Sequence, residues 1–132
     1  MIQQREKDYL QRIIEEFFAK LQEMDNNTEG LSLPERRIIL EDCYKFFADN
    51  FEVTKIDTVE QLAEKIDSVE LFEQYAKLLL NEYEITDNKD KALLLKAFSI
   101  VETLENTDTT YSWERTVLRE DVLRLLEEKA DQ

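Results

Sequence analysis

The sequence predicts an all-α protein, a single-domain bundle of five long helices and one short helix spanning residues 1–132. Three observations carry that expectation. Glycine and proline occur once each, whereas a sandwich or barrel needs a turn former every ten or so positions. The good helix formers Leu, Glu, Lys, Ala and Gln are plentiful. Apolar residues then recur three and four apart along most of the chain, the period of a helix with one buried face. At 132 residues and 42% hydrophobic content there is material for one core, and a second would be hard to fill.

The first helix is expected over residues 2–24, with Tyr9/Leu10, Ile13/Ile14, Phe17/Phe18, Leu21 and Met24 on its wide apolar face. Asp25-Asn26-Asn27-Thr28-Glu29-Gly30 ends it with polar turn formers and the single glycine. Ser32-Leu33-Pro34-Glu35 has the S-x-x-E form of a capping box, with proline early enough to cost no hydrogen bond. The second helix then runs to about Asn50, with Leu33, Ile38/Ile39, Cys43 and Phe46/Phe47 inward. Phe51 to Lys55 lacks a helical period and reads as a connector that tucks one or two side chains inward.

Asp57-Thr58-Val59-Glu60 reads as a second capping box opening a short helix to about Ile66. Asp67-Ser68-Val69-Glu70 repeats the device for a fourth helix to Tyr83 or Glu84, facing inward with Leu71/Phe72, Tyr75/Ala76, Leu78/Leu79 and Tyr83. Asp87 or Asn88 should cap a fifth, from Lys89 to about Glu105, with Leu93–Leu95, Ala97/Phe98, Val101 and Leu104. The last runs from about Ser112 to Lys129 on Trp113, Val117/Leu118, Val122 and Leu125/Leu126. Helices four and five are apolar on nearly three sides and belong at the centre. Helix one either closes the core or pairs with another copy.

Charge narrows the classes of partner. The net charge is −14. Residues 1–24 hold 4 Lys/Arg against 5 Asp/Glu, so the other −13 falls on the rest of the chain. Nucleic acid is disfavoured, because its binding depends on Lys/Arg displacing counterions from phosphates. An anionic membrane surface is disfavoured for the same reason. A protein partner or a second copy stays open, and solvation alone accounts for many of the carboxylates. A lone cysteine, charged first turns with no apolar leader, and apolar runs of at most four residues make a cytoplasmic location the expectation.

The absent residue types exclude more chemistry than any motif suggests. With no histidine, imidazole–zinc sites, Ser-His-Asp and Cys-His pairs and the Glu-x-x-His of di-iron bundles are unavailable. One glycine cannot build G-x-G-x-x-G or a P-loop. Asp25-x-Asn27-x-Glu29-Gly30 imitates the opening of an EF-hand loop, but position twelve, where a bidentate glutamate is required, is Arg36. An ordinary polar turn accounts for it better. Cys43 falls on an inner face and reads as a small hydrophobe. Glu15/Glu16, Glu41/Asp42, Glu120/Asp121 and Glu127/Glu128 point about 100° apart within each pair, so they read as solvated faces. No cofactor, metal or catalytic residue is expected.

Thr110-Tyr111-Ser112-Trp113-Glu114-Arg115 gathers aromatics, hydroxyls and a charge pair at the start of the last helix. Aromatics with a polar handle suit contact surfaces, although a hydrophobic staple with Ser112 as cap explains the segment more simply.

Two resemblances bear on function. Ala76-x-x-Leu79-Leu80-x-x-Tyr83 followed by Asp87-x-x-x-x-Ala92 resembles one tetratricopeptide-like (TPR-like) helical hairpin across about 30 residues. Lys96 departs from that pattern, no proline ends the unit, and no second copy follows at the repeat's offset. Met1-Ile2, Asp8-Tyr9-Leu10, Arg12-Ile13-Ile14 and Tyr111-Ser112-Trp113-Glu114-Arg115 together look like a family of short bacterial helical proteins of unknown function. That likeness implies no activity and carries over no site residue.

The expectation for function is a non-catalytic helical interaction or self-association module, with Phe17, Phe18, Tyr111 and Trp113 as candidate anchors. The alternative is a small-molecule-binding or enzymatic bundle using interior carboxylates beside Tyr75 or Tyr83. A bulk structural domain serving a neighbouring protein is the third.

Overall fold

The computed structural model describes residues 8–16, 19, 32–87, 89–108 and 112–128, and within them every regular element is helical. Residues 8–16 form α1. Five further helices follow: α2 (Leu33–Phe51), α3 (Val59–Lys65), α4 (Val69–Ile85), α5 (Lys91–Thr107) and α6 (Trp113–Glu128). The chain divides into two compact units at residues 1–56 and 57–132.

In the first unit, α2 starts as its sequence dictates. Ser32 Oγ accepts from Glu35 N–H, and the Glu35 carboxylate accepts from Ser32 N–H at 3.0 Å, which completes the capping box and holds the Glu35 pKa below its ordinary value. The buried line of α2 is Leu40, Cys43, Tyr44 and Phe47. Leu33 and Ile38, expected inside, are exposed by 39% and 59%. Ile38 lies about 160° around the helix from Leu40, on the outer side, whereas Leu33 shares the side of Leu40 but is the first residue of the helix. Phe46, Phe47 and Phe51 meet edge-on or tilted, with ring centres 5.6 to 6.5 Å apart.

The helix stops at Glu52, which takes the left-handed conformation (φ 57°, ψ 30°). Glu52 N–H bonds Ala48 C=O, Val53 N–H reaches back to Phe47 C=O at 3.4 Å, and Val53 is buried. The connector therefore tucks in one side chain, as its sequence suggested.

In the second unit, α4 is wrapped. Leu71 through Ala76, Leu78 to Leu80 and Tyr83 are all buried. α5 packs along α4 and α6 packs along α5, while α3 touches α5 and α6 touches α4. α5 buries Leu94, Ala97, Ile100, Val101 and Leu104, but Leu95 is 58% exposed, so α4 alone is covered on nearly every side.

Three helix starts lie away from their expected caps. α3 is capped by Thr58, whose partner at the third helical position is Gln61, one residue later than Asp57 and Glu60. α4 is capped by Ser68 and not Asp67, and α5 by Asp90 and not Asp87 or Asn88. Asp57 is drawn away from capping because it is buried and paired with Lys65 at 2.9 Å.

Lysines close the opposite end. Lys89 Nζ donates to Tyr83 C=O and Glu84 C=O at the end of α4, and Lys91 Nζ donates to Leu126 C=O near the end of α6. Cations at the start of α5 oppose that helix's own dipole, yet they meet the negative ends of its two antiparallel neighbours.

Candidate functional site

Of the four candidate anchors, Phe17, Phe18 and Tyr111 lie outside the described residues. Trp113 is described and is 68% exposed. The expected staple therefore holds only at its cap, where Ser112 Oγ accepts from Arg115 N–H at 3.1 Å. Trp113 and Val117, both expected in the core, face out, because the buried line of α6 is Arg115, Leu118 and Val122. From Trp113 that line lies on the far side of the helix.

An arginine in a core line needs partners, and it has them. Arg115 Nε donates to Glu73 Oε1 at 3.0 Å and Nη2 to Asp108 Oδ2 at 2.9 Å, while Ser112 Oγ donates to Glu73 at 3.1 Å. Burial is the largest influence on the guanidinium and works against its charge. The bonds to Asp108 and Glu73 together outweigh it, so the Arg115 pKa is raised. One glutamate on α4 thus fixes the first turn of α6, and the carboxylate just past α5 completes the ring of contacts. Lys77 on α4 adds a longer pair to Glu114 at 3.4 Å.

A second buried polar group sits near Asp57. Its carboxylate bonds Lys65 and acts electrostatically on Tyr75 and Lys96. Burial first, then Asp57 and Glu82, push the Tyr75 phenol up, and half-burial lowers the Lys96 ammonium despite Asp57. Tyr83 is also buried, with Lys89 over its ring at 5.2 Å.

Cys43 is fully buried, and desolvation with the charge of Asp42 raises its thiol pKa to about 12. Such a thiol is a packing residue and a poor nucleophile. Of the calcium-loop imitation, residues 25–31 lie outside the described residues, and Glu35 is committed to its capping box. Among the described residues, no three or more His, Cys, Asp or Glu side chains are grouped to hold a metal ion. Nor is any helix among them long and apolar enough to cross a membrane.

What remains on the surface is the outer line of α6. Trp113, Val117, Glu120, Arg124 and Glu127 follow one another at alternating spacings of four and three residues and are all exposed. Arg124 is already bonded to Asp121 and Glu128, and Arg119 to Glu105. Among the described residues, Glu120 and Glu127 take part in no ion pair. Compared with protein-family models, curated proteins and solved structures, the chain matches none.

Proposed function

We propose that the protein is a non-catalytic helical interaction module that makes contact through the outer line of α6. The observation that supports this reading most is Trp113: a large aromatic at 68% exposure, one helical turn from the half-exposed Val117. Exposed aromatics set beside polar groups are favoured at protein contacts, and the ion pairs of Arg115 hold the helix that carries them. The packed pair α4–α5, whose sequence resembles one TPR-like hairpin, fits a scaffold role. Phe17, Phe18 and Tyr111 stay in the proposal on sequence grounds, as does self-association. The cytoplasm remains the proposed location.

The small-molecule alternative draws its support from Asp57 within electrostatic reach of Tyr75. Lys65 already neutralises that carboxylate, so the interaction reading is preferred.

The test is site-specific photocrosslinking in living cells. A photoreactive phenylalanine at position 113 is expected to give a discrete adduct, while the same group at the exposed Glu102 gives none. Equal labelling at the two positions removes the proposal.

A further inference from the structure

We infer that the partner is a basic amphipathic helix of another protein, laid along the outer line of α6. This rests on the interaction reading above and names the chemistry of its occupant.

Charge defines the chemistry of the occupant. Residues 57–132 carry 9 Lys/Arg against 19 Asp/Glu, a net of −10. All three arginines of α6 are engaged by carboxylates of the chain itself: Arg115 by Glu73 and Asp108, Arg119 by Glu105, Arg124 by Asp121 and Glu128. The carboxylates left over among the described residues of the line are Glu120 and Glu127, seven residues apart on one side of the helix. Trp113 and Val117 precede them on that side. The line therefore has an apolar half and an anionic half, and it runs about 21 Å from Trp113 to Glu127 at 1.5 Å per residue.

A helix that matches it has apolar side chains over one end and two Lys or Arg, seven residues apart, over the other. A guanidinium near the apolar end would also find the face of the Trp113 indole. A second copy of this chain is the poorer occupant. Pairing α6 with itself antiparallel over the whole line sets Trp113 against Glu127 and Glu120 against Glu120, and it brings two strongly acidic units together.

Trp113 is the only tryptophan in the chain, so its fluorescence reads the site directly. The probe is a synthetic helical peptide of about 18 residues, without tryptophan, bearing two leucines at one end and two arginines seven apart at the other. A leucine-matched peptide with glutamines replacing both arginines, and one with glutamates, serve as controls. With the full-length protein, the basic peptide is expected to shift Trp113 emission to shorter wavelength, with affinity falling as salt rises. E120K/E127K should weaken it about tenfold or more and give the acidic peptide comparable binding.

Equal binding of the glutamine peptide, independent of salt, overturns the basic partner and leaves the interaction reading standing. A concentration-dependent blue shift with no peptide, matched by dimer sedimentation, likewise replaces the basic helix with a second copy. No change with any peptide, in a protein that sediments as a monomer, overturns both. Unchanged circular dichroism of E120K/E127K separates loss of binding from loss of fold.

Discussion

Arg115 Nε lies 3.0 Å from Glu73 Oε1, and both side chains are more than nine-tenths buried. The pair joins the start of α6 to α4 across 42 residues of sequence. Removing one partner would strand a buried charge, a change that costs about 3–5 kcal/mol, while replacing both with apolar residues is often neutral or better. Arg115→Met and Glu73→Leu are each expected to lower the urea midpoint strongly, and the double variant to recover most of the loss. If the two losses simply add in the double variant, the pair is not coupled.

Lys91 is expected to matter more than its place on the surface suggests. Lys91→Met should cost about 1 kcal/mol, since the ammonium serves the carbonyl of Leu126 near the negative end of α6. Hydrogen exchange should quicken in the last turn of α6. Lys45→Met is the control, because the Lys45–Asp49 pair is exposed by 71% and 59% and such pairs contribute little.

Alkaline lability follows from two buried acids. The Cys43 thiol is raised to about 12 and the Tyr75 phenol is also raised. Above a pH of about 9 an unfolded chain loses the thiol proton while the folded chain keeps it. Stability is therefore fully present below that point and falls as pH rises toward 12. Denaturant midpoints measured from pH 8 to 11 should decline, and less steeply in Cys43→Ala. Alkylation of native Cys43 at pH 8 should proceed only as fast as the protein opens.

Trp113 and Leu118 offer a contrast on one helix. Leu118 is 2% exposed, and Leu118→Ala should cost about 2–5 kcal/mol. Trp113→Ala should change stability by less than about 0.5 kcal/mol, and the wild-type emission should peak at the long wavelength of a solvated indole. A destabilising Trp113→Ala would place the indole in the core.

The helical class and the presence of the described helices were legible because capping chemistry and a 3.6-residue period are local signals. Ser32 with Glu35 is the clearest case. Register at the starts of α3, α4 and α5 was less legible. Asp57, Asp67 and Asp87 are good caps by type, yet Thr58, Ser68 and Asp90 do the capping. A carboxylate drawn into a buried ion pair, as Asp57 is, cannot be seen in a local window.

The same limit hid the centre of the α4–α6 contact. Glu73 sits inside the run Leu71-Phe72-Glu73-Gln74-Tyr75-Ala76, all of it buried. Arg115 lies three and seven residues before Leu118 and Val122, on the buried line of its helix. Two opposite charges on two apolar stripes are a readable sign of a buried pair. The neighbour Glu114 is no partner for Arg115, because adjacent helical residues point apart. Ile38, Trp113 and Val117 are exposed for the complementary reason: each adjoins a buried stripe in the sequence but not around the helix.

The end of α2 has a consequence for how that helix is measured out. Its last turn contains neither glycine nor proline, and Glu52 adopts a backbone shape that side-chain-bearing residues disfavour. No local letter says stop. The boundary is set by Val53, whose burial one residue further on turns the chain inward. Helix length here is thus a tertiary property: a polar residue at 53 would release Glu52 to right-handed geometry, and α2 would lengthen into the connector at the expense of the turn that follows it.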